Sequence, residues 1–243
     1  MSDNKRKNPT LVIMNRELKA YFTSPVAYIV SALFLIVCGI YFFMLNAFYL
    51  QNRAELRSFF SSLPLILSFF VPALTMRLFS EERRVGSIET LMTLPVTETN
   101  VVLGKYFASL IGTLVMILPT VFYVVTCEIF GSPDYGPIAG GYLGAIFLAA
   151  SFTSIGLFAS SVTKNQILAF FTACIICIVL TLVNSMLIFL PAKIVDFISF
   201  LSISKHFSLI SRGVIDTRDL LYFISLTAFF LVLTIKVQQN NKR

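Results

Sequence analysis

Charge is scarce in this chain. Asp, Glu, Lys and Arg make up 13% of its 243 residues, where a water-soluble domain carries roughly 25%. A soluble fold needs more charge to cover its surface, so the 57% hydrophobic share points to lipid as the outer solvent. Histidine is scarcer still: His206 is the only one. With no His-Glu-x-x-His pattern, a metal-hydrolase ligand set is missing, and His206 reads as an interfacial side chain. Ser151 and Ser154 have no base nearby in sequence and read as helix-packing residues. The four cysteines, Cys38, Cys127, Cys174 and Cys177, lie in or at the ends of apolar runs. Cys174 and Cys177 share a helical face, but without an adjacent His or carboxylate they read as small core hydrophobes. A P-loop is missing too: Gly104-Lys105 is followed by Tyr106, and Thr99 stands where the first Gly is needed. Ionisable groups inside the apolar runs are nearly absent, with Glu128 at the outer end of one and Arg77 at the inner end of another. A proton-coupled carrier needs buried acids along its path and a channel needs a polar stripe. Any transport must therefore draw its energy from elsewhere.

What the chain does have is long charge-free stretches. They lie between Lys19 and Arg53, Arg57 and Arg77, Lys105 and Glu128, Asp134 and Lys164, Lys164 and Lys193, and Asp219 and Lys236. Each suits one helix crossing a hydrocarbon core of about 30 Å, which takes about 20 residues. In lipid the backbone must satisfy itself, so the runs are helices. The expected fold is an all-α integral membrane protein forming a single domain over 1–243. Its spans fall at about 26–49, 59–78, 104–128, 138–162, 166–190 and 219–237. In the shortest, Asp219 and Lys236 snorkel to the two interfaces. The first run is too long for a signal-peptide core and reads as retained.

An even number of spans puts both termini on one side. With them in the cytoplasm, 13 of the 19 Lys and Arg residues lie inside, as the positive-inside rule favours. The formal net charge of +7 then faces anionic membrane lipid. The chain lacks the aromatic-interleaved basic surface of a nucleic-acid binder, so no nucleic acid is expected.

The connections carry further signals. Over 10–23, Leu11, Met14, Leu18 and Tyr21 or Phe22 recur at helical spacing between Asn15, Arg16, Glu17 and Lys19, which reads as an amphipathic interfacial helix. Such a helix is either a solvated tether or an elbow touching a partner. Ser24-Pro25 turns the chain into the first span. In the second connection Ser80 can cap a short helix whose Ile88, Leu91 and Met92 form an apolar stripe and which stops at Pro95, with Thr97 capping the next. That stripe argues for docking onto something. The short Thr163-Lys164-Asn165 link makes the fourth and fifth spans a hairpin. Gly140, Gly141, Gly144, Ser151 and Gly156 mark a close helix contact whose partner is left open. The stretch 191–218 is too apolar for a free loop and predicts one or two short helices dipping into the outer leaflet or the bundle.

Ser80-Glu81-Glu82-Arg83-Arg84-Val85-Gly86-Ser87-Ile88-Glu89-Thr90-Leu91-Met92-Thr93-Leu94-Pro95-Val96, continued by Val102-Leu103-Gly104-Lys105-Tyr106, resembles the cytoplasmic signature of ABC-2 type permeases. Ser211-Arg212-Gly213-Val214-Ile215-Asp216-Thr217-Arg218-Asp219-Leu220 and the segment from Met14 to Pro25 are similar to the gliding-motility (GldF-type) branch. The resemblance covers nearly the whole chain. It implies a non-catalytic subunit of an exporter in a bacterial inner membrane, driven by a separate ABC ATPase that binds ATP and Mg, with no cofactor in this chain. A second permease chain, identical or related, would complete the unit. The implied ATPase-coupling residues are Arg16, Glu17, Lys19, Glu81, Glu82, Arg83, Arg84, Gly86, Glu89, Leu91, Leu94 and Pro95. The stretch before the last span becomes a re-entrant gate with Phe197, Phe200, His206, Phe207, Arg212, Gly213 and Asp216. Two other classes compete with the exporter. One is an ATPase-driven membrane anchor or mechanical transmitter without cargo. The other is an intramembrane enzyme, for which no nucleophile–base or metal constellation exists in the sequence.

Overall fold

The structure, a computed structural model, describes residues 8–45, 56–86, 97–131, 133–186, 200–214 and 216–240. The described residues form helices and connecting turns, without a strand. Helix α1 is Pro9–Thr23, and α2 is Pro25–Ile40, prolonged by a π-helical turn at Tyr41–Leu45. Next come α3, Arg57–Thr75, and the short α4, Ser80–Val85. Helix α5, Glu98–Ile117, passes through a 3-10 turn at Leu118–Val121 into α6, Phe122–Phe130. Then follow α7, Tyr135–Val162; α8, Gln166–Met186; α9, Ile203–Ile210; and α10, Thr217–Asn240.

Six helical stretches are long and apolar enough to cross a membrane: Pro25–Met44, Arg57–Val85, Glu98–Phe130, Tyr135–Val162, Gln166–Val183 and Thr217–Asn240. As expected, Thr97 caps the helix that runs into the third, accepting from the Asn100 N–H. Proline sets two other local features. Pro25 at the first turn of α2, after an extended Ser24, divides α1 from α2. Pro119 lies in the 3-10 turn that joins α5 to α6.

Helix α7 is the axis of the bundle, and its glycines show what it packs against. A Cβ on Gly141 would stand 2.5 Å from the Phe60 ring, one on Gly156 would collide with Thr75 Oγ1, and one on Gly144 would press the Phe207 ring at 3.1 Å. A Cβ on Gly140 would strike the Ile210 carbonyl. The small face predicted for this span thus seats α3 and α9. On another face, Ser151 Oγ lies 3.2 Å from Thr227 Oγ1 and donates to the Phe223 carbonyl at 3.3 Å, tying α7 to α10. The four cysteines are unbridged and buried.

Helix α4 starts in a way the sequence did not indicate. Ser80 was expected to cap it, but Ser80 is already inside the helix and its hydroxyl donates back to the Met76 carbonyl. Ser160 of α7 caps it instead. Its Oγ accepts from the Phe79 and Ser80 N–H groups at 2.9 and 3.1 Å while donating to Met76. The cap residue lies some 80 positions away, so local sequence could not reveal it. At the other end Gly86 adopts φ +79, the left-handed conformation that ends a helix.

Candidate functional site

One end of the bundle gathers α1, α4 and the first turns of α5. Helix α1 lies lengthwise along α5, and the two run in the same direction. Thr10 bonds Asn100, Ile13 packs on Gly104, Glu17 bonds Lys105 and Tyr21 packs on Gly112. Gly104 permits this approach, since a Cβ there would stand 2.9 Å from Ile13. The docked stripe of α1 is therefore Ile13, Glu17 and Tyr21. The stripe read from sequence lies mostly on another face: Leu11 and Phe22 are about half exposed, and Met14 and Leu18 are only partly buried. The periodicity was helical, but it marked the outer apolar face. The inner face carries a carboxylate and was not recognised as such.

That carboxylate belongs to a charged knot. Lys105 is completely buried, and its Nζ donates to Glu17 Oε1 at 3.1 Å, Glu82 Oε1 at 2.8 Å and the Leu78 carbonyl at 2.8 Å. An ammonium has three protons to give, and all three are engaged. Arg16 closes the far side, donating to Glu17 at 2.6 Å and Glu82 at 3.2 Å. Two cations and two carboxylates balance, which is how a charge survives without water. Burial pushes the Glu17 carboxyl up. The Lys105 charge and the Arg16 hydrogen bond outweigh it and hold Glu17 below the ordinary carboxylate range. Beside the knot, Arg77 donates to Ser24 Oγ at 2.7 Å and lies over the Tyr21 ring, while the Tyr21 hydroxyl donates to the Leu74 carbonyl at 2.9 Å. The N-terminal helix, the end of α3, α4 and α5 are thereby one body at this end, bordering a cavity of about 440 Å³.

Of the coupling residues named from sequence, Arg16, Glu17 and Glu82 meet in the knot. Lys19, Glu81 and Arg84 are exposed beside it, and Arg83 is partly buried. Gly86 ends α4, while Glu89, Leu91, Leu94 and Pro95 lie outside the described residues. Lys105 was missed. In sequence it looked like an ordinary positive charge before a span, and only the pairing of α1 with α5 buries it.

At the opposite end α9 folds back onto the bundle. His206 is buried and is not an interfacial side chain. Its Nδ1 lies 2.6 Å from Asp219 Oδ1, its Nε2 2.9 Å from the Phe200 carbonyl, and its ring stacks on Tyr222 at 4.1 Å. The Tyr222 hydroxyl donates to Leu201 at 2.7 Å. Asp219, expected to snorkel, is only 3% exposed because it pairs with this ring. Phe207 is buried against Gly144, Gly213 turns the chain with φ +84 next to Gly140, and Asp216 accepts from the Arg218 N–H. Phe200 and Arg212 are exposed, and Phe197 lies outside the described residues.

Six long apolar helices and an end-on charged knot define a polytopic membrane protein with a structured, ionic face at one end. A family model described as ABC-2 family transporter protein matches residues 11–237, and the chain belongs to that family. It is accordingly a permease component of an ABC transporter, from a family whose members generally work with an ABC ATPase. A comparison with curated proteins produced no match.

Proposed function

We propose that this chain is the permease subunit of an ABC exporter and that the α1–α4–α5 end is the surface on which a separate ATPase docks. The observation that carries this reading is the knot. Lys105 binds Glu17 of α1 and Glu82 of α4 at once, so a push on either short helix reaches a membrane-spanning helix directly. Free loops could not pass such a push on, because transmission between two states needs rigid elements with defined contacts. The ATPase holds ATP and Mg, and this chain supplies no cofactor. Glu82 is engaged inward, so the exposed Lys19, Glu81 and Arg84 make the outward charged contacts. Helix α1 lies at the cytoplasmic interface with its Leu11, Leu18 and Phe22 face towards lipid, α4 opens the coupling segment, and both termini are cytoplasmic. A second permease chain, identical or related, completes the unit in a bacterial inner membrane. The α9 region forms the extracytoplasmic gate. The stretch 211–220 and the segment from Met14 to Pro25 support a place near the gliding-motility (GldF-type) branch.

The test is co-purification in mild detergent. A soluble ATPase should accompany the tagged wild-type chain in stoichiometric amount and be lost on the paired reversal Glu81→Lys and Arg84→Glu, while membrane insertion stays intact. An ATPase retained by the reversed protein would remove the docking surface. Wild-type protein that brings down no ATPase from cells expressing one would remove the permease reading itself. Hydrolysis stimulated by cargo separates an exporter from a cargo-free mechanical transmitter.

A further inference from the structure

The starts of α3 and α7 and the turn after α9 meet at the end of the bundle away from the knot. They enclose a recess of about 190 Å³ lined by Leu56, Arg57, Phe60, Asp134, Ile138 and Arg212. Its floor is apolar, since Leu56, Phe60 and Ile138 are buried. Its rim is cationic. Arg57 and Arg212 are exposed, and neither guanidinium makes an ion pair or hydrogen bond among the described residues. Asp134 shares the recess, its Oδ1 accepting from the Gly136 N–H at 3.1 Å as the cap of α7, so the two arginines leave the rim with a net charge of about +1. Helix α3, by contrast, begins without a side-chain cap, so its first-turn N–H groups add positive potential to the same spot.

Two guanidiniums with no ion pair or hydrogen bond among the described residues, set over an apolar floor, match a particular ligand chemistry. Guanidinium grips phosphate oxygens two at a time, and an apolar floor takes the carbon chain next to the phosphate. The volume sets the size, because drug-sized sites begin at about 300 Å³ and this one admits a headgroup only. The place fits as well. Two spans begin here, at the level where hydrocarbon gives way to headgroups. We propose that this recess binds the phosphate of an anionic amphiphile, with Arg57 and Arg212 on the phosphate oxygens and the first carbons on Phe60 and Ile138. Free inorganic phosphate shares the headgroup chemistry but cannot use the floor.

This site depends on the chain crossing a membrane and not on ATPase docking, so the two readings can fail separately. The test is native mass spectrometry of the full chain released from detergent after titration with phosphatidylglycerol, phosphatidylcholine or inorganic phosphate. Wild type should retain phosphatidylglycerol in preference to phosphatidylcholine. The double variant Arg57→Gln/Arg212→Gln should weaken that retention about tenfold or more, as expected for losing charge-assisted hydrogen bonds. Arg218→Gln, an exposed arginine outside the recess, should leave it unchanged. Arg57→Lys/Arg212→Lys keeps the charge and should recover part of the loss, which also controls for folding. Equal phosphatidylglycerol retention by wild type and the double Gln variant would overturn the proposal. Saturation by inorganic phosphate that displaces the lipid completely at equal concentration would overturn the amphiphile as the source.

Discussion

A single lysine decides how one end of this molecule is built. Lys105 sits without solvent contact between Glu17 and Glu82. Replacing it by Met leaves the two partly buried carboxylates confronting each other, with Arg16 alone to offset them. Removing one partner of a buried ion pair costs about 3–5 kcal/mol, so K105M should lower the thermal midpoint in detergent far more than Lys19→Met, whose side chain is exposed. A midpoint unchanged by K105M would show that the knot contributes nothing to stability. The same knot predicts a pH response. The Glu17 carboxyl is held below its ordinary range, so its contribution is present above the unfolded carboxylate value, about 4.3. It is lost as pH falls through the depressed folded value. The protection of the α1 amides, taken relative to the intrinsic exchange rate at each pH, should therefore be high at neutral pH and fall in acid, and Glu17→Gln should be less protected at neutral pH with a flatter acid response. None of this was legible in the sequence. A lysine just ahead of an apolar run has the same local appearance whether it reaches into water or is buried by a helix that lies 88 residues earlier in the chain. Asp219 misled in the same way, since its partner His206 comes from a different helix.

At the scale of helices, legibility was better where the signal is one-dimensional. Gaps between charges located the six apolar helices, because exclusion of charge from hydrocarbon is a property of each run by itself. Glycine spacing along α7 correctly marked a close contact, and only the fold supplied the neighbours, α3 and α9. The contact at Gly140 is the tightest against backbone, where a methyl group meets the Ile210 carbonyl. A carbonyl cannot rotate away as a side chain can. Gly140→Ala should thus cost about 1–3 kcal/mol by overpacking and displace α9. Gly136→Ala, whose nearest atom stands at 3.4 Å, should cost much less. Cysteine labelling of a Ser208→Cys reporter on α9 would report the displacement, and equal labelling in both backgrounds would count against it. The cap of α4 makes a comparable case. Ser160→Ala removes the acceptor for two N–H groups of α4, at a cost near that of losing an N-cap, about 1 kcal/mol. Faster exchange at Phe79 and Ser80 is the expected reading.

At the scale of the whole molecule, the proposed function assigns docking and transmission to different residues, and this makes them separable. The outward charges Glu81 and Arg84 sit on the same short helix as Glu82, which faces inward to Lys105. On that proposal the ATPase binds through the first set. Movement of α5 would use the second, because the Glu82–Lys105 ion pair joins α4 to α5. Reversing Glu81 and Arg84 should abolish co-purification of the ATPase and hence all hydrolysis dependent on the complex. K105M should act on the other step. With the outer charges intact the ATPase still binds, but the link from α1 and α4 to the third span is broken, so hydrolysis persists while cargo movement fails. Restoring the charge pattern in exchanged form, Glu17→Lys with Lys105→Glu, should recover part of the coupling if the ion pair itself transmits. It should recover none if Lys105 serves only to fold this end. Measuring bound ATPase, hydrolysis and cargo movement on the three proteins distinguishes these outcomes. Loss of ATPase binding in K105M at the same level of folded protein would mean that the knot shapes the docking surface rather than relaying its motion.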